Sequence, residues 1–157
     1  MKRSLKTKAL APRDERVPAA LLGDISSLIE TARTKVAQTV NAGLVLLYWN
    51  IGRRVRQDIL ENRRAGYGER IVSTLGRQLG KDFGEGFTGK SLRHMIRFVE
   101  TFPDEQIVST LSRQLGWSHF KEIVYIGDSL KRDFYAEMCR LERWSVRTLR
   151  AKVGGML

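Results

Sequence analysis

Apolar residues recur every three or four positions along most of this chain, which is the period of an amphipathic α-helix. The first such stretch begins at Pro18 and continues to about residue 64, with a weak point at Gly43. It predicts two long helices, or one helix with a kink near that glycine. Its apolar positions are Leu21, Ile25, Leu28, Ala32, Val36, Val40, Leu44, Leu47, Tyr48, Ile51, Val55 and Ile59.

Residues 1–17 lack this period and carry six basic and two acidic side chains. We expect them to form a flexible basic tail, either a solvated leader or an arm that contacts DNA. The remaining residues, 18–157, are expected to form one helical domain.

An eight-residue segment occurs twice, as STLGRQLG from Ser73 and as STLSRQLG from Ser109. In each copy the leucines are four residues apart, which is typical of the buried stripe of a helix, and an Arg-Gln pair lies off that stripe. Each copy ends in glycine, which indicates a helix C-cap or a turn. The outer arginines are Arg77 and Arg113, and the final glycines are Gly80 and Gly116. Two copies predict two similar helix-turn units.

Residues 72–101 predict a helix, a glycine-rich turn and a second helix, which is the plan of a helix-turn-helix DNA-binding unit. The second helix, capped by Ser91 and ending before Pro103, separates its two faces. Its core side is Leu92, Met95, Ile96 and Val99, and its polar side is Lys90, Arg93, His94 and Arg97. Cations and free N–H groups at a helix terminus can bind phosphates. The alternative is an ordinary surface helix whose arginines are solvated.

The candidate DNA-binding residues are therefore Lys90, Ser91, Arg93, His94, Arg97, Arg77 and Arg113. Further helices are expected after Ser118, after Asp128 or Ser129, and after Ser145. No stretch alternates strictly enough to predict a strand. The expected fold is all-α, a helical bundle with a helix-turn-helix or winged-helix-like unit and at most a small β-hairpin near residues 85–88.

Among the bulk properties of the chain, net charge bears most on the expected function. The chain has 28 Lys and Arg against 17 Asp and Glu, a formal net charge of +11. A field of that sign attracts polyanions, whereas solubility alone needs no particular sign. One cysteine and two histidines exclude an intrachain disulfide and a Cys-rich four-ligand zinc site. We expect a cytoplasmic protein without a cofactor, and no apolar run is long enough to span a membrane.

The amino-acid sequence contains no complete catalytic motif. A PD-(D/E)XK nuclease needs an acid followed two positions later by lysine, and no Asp or Glu in this chain meets that condition. Gly89-Lys90-Ser91 resembles the end of a phosphate-binding loop but follows no predicted strand. We therefore expect no enzymatic activity from this chain.

Aromatic residues leave two interpretations open. Trp117, His119 and Tyr67 can stack on unpaired bases, which would favour RNA binding. Alternatively, Trp117, Phe120 and Trp144 anchor helix starts in the core, as such residues more often do.

Short motifs that occur in order over residues 20–157 resemble the N-terminal domain of YhcG-like proteins. They are IETAR from Ile29, Asn41, LYWNIGR from Leu47, Tyr67-Gly68, FGEGF from Phe83, LRHM from Leu92, GWSH from Gly116, RDFY from Arg132 and WSVR from Trp144. The resemblance implies a helical, winged-helix-like domain that usually precedes a PD-(D/E)XK nuclease domain. Because the family usually continues beyond the point where this chain ends, we expect a fragment, a truncated gene product or an excised domain. The resemblance transfers no catalytic residue to this chain.

The resulting hypothesis is a domain that binds DNA, either sequence-tolerantly or by DNA structure, and targets a nuclease domain to it, alone or as a homo-oligomer. One alternative is a protein-interaction or dimerisation module in which the helices of residues 18–64 pair with another copy. The other is RNA binding. No membrane partner is expected.

Overall fold

The computed structural model describes residues 16–36 and 40–155, and these residues form eight α-helices, one 3-10 helix and no strand. The helices are α1 Ala19–Val36, α2 Val40–Glu61, α3 Tyr67–Phe83, α4 Gly89–Thr101, α5 Glu105–Leu111, α6 Trp117–Ile123, α7 Ser129–Glu142 and α8 Val146–Gly154, with the 3-10 helix at Glu85–Phe87 between α3 and α4. The all-α prediction is confirmed. The 3-10 helix occupies the position allowed for a small β-hairpin, and residues 1–15 of the expected basic tail lie outside the described residues.

Several expected helix boundaries shift. The two long helices expected for residues 18–64 are present as α1 and α2, and Gly43 lies in the first turns of α2. Helix α4 begins at Gly89 with Thr88 as its N-cap, so Ser91 lies inside the helix and does not cap it. Ser118 likewise lies inside α6, whose N-cap is Gly116. In contrast, Asp128 and Ser145 cap α7 and α8 through their side chains, as expected.

The two copies of the repeat fold differently beyond their shared buried leucines. Helix α3 continues through Gly80 to Phe83, so this glycine is not a C-cap, whereas the second copy is helical only to Leu111. There the side-chain amide of Asn41 in α2 donates to the carbonyl oxygens of Ser112, at 3.2 Å, and Leu115, at 3.1 Å. These tertiary hydrogen bonds replace helical partners and stabilise a turn instead.

Helices α2 and α4 form the centre of the molecule because each contributes to both hydrophobic clusters. One cluster joins them to α1 and α3, and the other joins them to the C-terminal helices. Trp117 packs against both, with its ring centroid 4.8 Å from that of Tyr48 and 5.4 Å from that of Phe98. The indole N–H of the buried Trp49 in α2 donates to the carbonyl of Phe102, just after α4, at 2.7 Å.

Helices α3 and α4 approach closely where the second begins. A β-carbon on Gly76 would lie 2.2 Å from the backbone nitrogen of Gly89, so only glycine at position 76 permits this contact. The order helix, short connection, helix expected for residues 72–101 is present. This contact fixes α4 with one polar stripe open to solvent.

Candidate nucleic-acid interface

The exposed surface of α4 is a single stripe. Lys90, Arg93, Arg97 and Glu100 are exposed at spacings of three and four residues, which places them along one side of the helix. The opposite side is buried and consists of Leu92, Met95, Phe98 and Val99. The predicted separation of faces is therefore present, with Ile96 partly buried at its edge.

The cations of this stripe are not neutralised by neighbouring carboxylates. Within residues 16–36 and 40–155, no carboxylate lies at ion-pairing distance from Lys90, Arg93 or Arg97. Arg97 donates from Nε to the backbone carbonyl of Val124 at 3.1 Å, which fixes its stem while the residue stays exposed. Glu100 at the far end of the stripe pairs with Arg56 of α2, at 3.5 Å.

The segment at the end of α6 joins this stripe. The hydroxyl of Tyr125 lies 2.7 Å from Nδ1 of His94, and the guanidinium carbon of Arg97 lies 5.3 Å from the centre of the Tyr125 ring. The pKa of His94 is lowered from its usual value by burial, and then by the nearby charges of Lys121 and Lys90. We refer to Lys90, Arg93, His94, Arg97, Lys121 and Tyr125 together as the α4 basic surface.

The three remaining predicted site residues do not belong to this surface. The hydroxyl of Ser91 lies 3.5 Å from the carbonyl of Glu85, on the connection before α4. Arg77 lies one residue from the crossing of α3 with α4 and lines a shallow cleft of about 270 Å³ together with Arg70. Arg113 lies in a different cleft, of about 500 Å³, with Arg143 and Trp144. Four of the seven predicted residues thus belong to the α4 basic surface, and Arg113 lies in a separate cleft.

The sequence patterns did not predict two residues of the α4 basic surface, Lys121 and Tyr125. Their own neighbourhood gave no signal, because Lys121 lies in a short helix of mixed composition and Tyr125 lies two residues after that helix ends. Only the packing of α6 against α4 brings both beside His94.

The aromatic residues considered for RNA stacking have structural contacts instead. Tyr67 is buried and donates its hydroxyl proton to Asp58. Both ring nitrogens of His119 are engaged, since Nδ1 accepts from the backbone N–H of Gly116 at 3.0 Å and Nε2 donates to the carbonyl of Trp144 at 2.7 Å. These contacts, with the packing of Trp117 in the core, leave the RNA interpretation without the stacking groups proposed for it.

Two further features of the described residues bear on function. Nowhere in residues 16–36 and 40–155 do three or more His, Cys, Asp or Glu side chains gather in a way that could hold a metal ion. None of the helices described combines the length and the apolar character needed to cross a bilayer.

Comparison with known proteins places the chain in a family. The model of the DUF1016 N-terminal domain matches residues 24–157. A protein of Escherichia coli (strain K12) named "Putative nuclease YhcG" is 34% identical over 84 residues, which are 53% of this chain and 22% of that relative. The match therefore spans less than a quarter of the relative's length, and no solved structure matches the chain. Since the family model covers most of the sequence and agrees with the motif resemblance, this chain belongs to the DUF1016 N-terminal domain family.

Proposed function

We propose that this domain binds DNA through the α4 basic surface and thereby positions an attached nuclease domain on its substrate. The nuclease part of this proposal comes from the name of the Escherichia coli relative. The observation that carries the DNA part is the set of exposed cations on one stripe of α4 that have no carboxylate partner among the described residues. Such cations bind phosphates and release condensed counterions, which gives affinity without base specificity.

A comparison with the arginines of α2 supports the choice of surface. Arg54 pairs with Asp24 at 2.8 Å, Arg56 pairs with Glu100, and the guanidinium of Arg53 lies 5.5 Å from the ring centre of the buried Trp49. Two of these three cations already have a carboxylate partner that DNA would have to displace. The α4 basic surface imposes no such cost.

The experiment is duplex DNA binding measured by fluorescence anisotropy at several salt concentrations. We compare the wild-type chain with the double variant Lys90→Ala/Arg93→Ala, which keeps Arg97 because that side chain also holds Tyr125. Each lost phosphate contact lowers the slope of log affinity against log salt by about 0.9. The matched control is Arg54→Ala/Arg56→Ala, for which we expect the wild-type slope.

A folded Lys90→Ala/Arg93→Ala variant with an unchanged slope would contradict the proposal. If the slope of log affinity against log salt fell in the control variant instead, the DNA-binding surface would lie on α2. A wild-type chain without salt-dependent DNA binding would exclude DNA binding by this domain altogether.

A second candidate function, protein contact, is favoured by α7. Leu130, Phe134 and Leu141 are 78%, 51% and 61% exposed and lie on one side of that helix. The interaction surface anticipated on residues 18–64 stays a prediction: Leu21 and Ile25 of α1 are buried in the domain's own core, whereas Val40 and Leu60 of α2 are exposed.

The occupant we consider for this face is a second copy, since one helix can pack against its own symmetry mate. Sedimentation velocity tests it, with a dimer expected for the wild type and a monomer for Leu130→Gln/Leu141→Gln. A wild-type chain that stays monomeric at high concentration would exclude this candidate.

A further inference from the structure

Tyr125 is held in a fixed position on the α4 basic surface while half of it, 51%, is open to solvent. Arg97 lies over the ring, and the hydroxyl is hydrogen-bonded to His94. Because two contacts already orient the side chain, little further freedom is lost when another group stacks on it. Proteins that bind single-stranded DNA combine such aromatic rings with cations that follow the backbone.

This combination of exposure and a neighbouring cation sets Tyr125 apart from other aromatic residues in the part of the chain that the structure describes. Cations also lie over the rings of Trp49, Tyr67, Phe83 and Trp144, but the first two are buried and the last two are half-buried. Those pairs serve packing at the edge of the core. The ring of Tyr125 remains available to a ligand.

A cleft of about 390 Å³ adjoins Tyr125 on the side of α7 and α8, and this volume is within the range of small-molecule sites. Ile126 and Val153 give it apolar walls, and Lys131 lies at its edge. Two carboxylates also line it, but each already has a partner. Glu122 pairs with Arg150 at 2.7 Å, and Asp128 accepts hydrogen bonds from the first backbone N–H groups of α7. The cleft therefore presents apolar surface and polar edges, as the flat face and the edge of a nucleobase require.

We propose that Tyr125 is a stacking platform for an unpaired base of bound DNA and that the adjoining cleft receives that base. The inference rests on the proposed function, since Lys90, Arg93 and Arg97 would hold the phosphates on either side. The substrate class is therefore DNA that contains unpaired bases. A fully paired duplex would still bind through its phosphates, but it would leave the Tyr125 ring unused.

The test compares two fluorescein-labelled DNA probes by anisotropy, a fully paired duplex and the same duplex with a short run of unpaired thymines at its centre. We expect the wild-type chain to bind the second probe about 5- to 150-fold more tightly, the range expected for stacking of one base. Tyr125→Leu should remove this preference, so that the two probes bind with equal affinity. Tyr125→Phe, which keeps the ring, should retain the preference.

Phe134→Leu is the matched control, because Phe134 is also 51% exposed but lies on α7, outside the α4 basic surface. It should keep the wild-type preference. Lys90→Ala/Arg93→Ala should weaken binding of both probes equally, which separates the phosphate contacts from the stacking contact.

Failure of the inference differs from failure of the proposed function. If both probes bind in a salt-dependent way and Tyr125→Leu changes neither or both equally, the stacking role is wrong and DNA binding stands. If the wild type binds neither probe, both are wrong. A larger Tyr125-dependent preference for the RNA form of the unpaired strand would reassign the substrate to RNA.

A measurement on the wild-type chain keeps the test independent of how well Tyr125→Leu folds. The unpaired thymines are replaced by 5-iodouracil, the complex is irradiated, and the crosslinked peptide is identified by mass spectrometry. We expect a crosslink to Tyr125. Crosslinks confined to other residues would overturn the assignment.

Discussion

A β-carbon on Gly52 of α2 would lie 2.1 Å from the carbonyl oxygen of Met95 in α4. The two central helices thus touch backbone to backbone, and the opposite side of α4 is the stripe that carries Lys90, Arg93 and Arg97. The position of the α4 basic surface depends on this contact, because any side chain at position 52 would push α4 outward.

We expect Gly52→Ala to lower the free energy of unfolding by about 1–3 kcal/mol, the usual cost of overpacking, because the obstructing atoms belong to the backbone and not to a flexible side chain. Gly23→Ala in α1 is the control, since a β-carbon there meets nothing within 4 Å. It should stabilise the protein by about 0.5–1 kcal/mol through helix propensity. Urea denaturation measures both. Equal midpoints for the two variants would contradict the close crossing.

Leu47→Ala should lower the free energy of unfolding by about 2–5 kcal/mol, because the side chain is only 5% exposed and its removal leaves a cavity. Leu60→Ala, at an exposed position of the same helix, should change it by less than about 0.5 kcal/mol. Denaturant melts of both variants test the burial of the α2 stripe. A cost below about 0.5 kcal/mol for Leu47→Ala would place this leucine on the surface.

The lowered pKa of His94 predicts a dependence of stability on pH. Between its folded pKa and its usual value of 6.5, the unfolded chain binds more protons than the folded chain. The contribution of His94 to the free energy of unfolding is therefore fully present above pH 6.5. It is lost as the pH falls through 6.5 towards the pKa that His94 has in the folded protein. We expect urea melts to show a smaller decrease for His94→Gln than for the wild type between pH of about 7.5 and about 5.5. Identical decreases in the free energy of unfolding for the two proteins would mean that His94 does not contribute to the pH dependence of stability.

We expect this chain to leave supercoiled plasmid and labelled single strands intact, with or without Mg²⁺. Its sequence contains no acid followed two positions later by lysine, the pair that a PD-(D/E)XK nuclease needs to bind the metal and polarise the attack. Agarose and denaturing gels measure cleavage, with an active nuclease run in parallel. Metal-dependent cleavage that disappears when one acidic residue is replaced would contradict this prediction.

Local patterns were sufficient to predict the helices and the direction that many of them face. The spacing of Leu75 and Leu79 in the first repeat, and of Leu111 and Leu115 in the second, correctly indicated buried positions. Spacing reports which side of a helix is apolar, and burial of that side is the largest stabilising term in folding. The same patterns predicted equal endings for both repeats. That was wrong, because Asn41 comes from a distant helix to stabilise one turn and not the other.

The all-helical fold class, the family and the polar side of α4 could all be read from the amino-acid sequence, because each depends on residue order over short distances. Which cations of the described residues lack a carboxylate partner, and which aromatic ring stays exposed, depends instead on how the helices pack. Arg54 and Arg93 look alike in sequence, yet packing of α1 on α2 brings Asp24 to Arg54 and leaves Arg93 without a carboxylate among the described residues. Tyr125 meets His94 and Arg97 only because α6 docks on α4. Pairing of charges and rings depends on which helices cross, and helical period carries no information about that crossing.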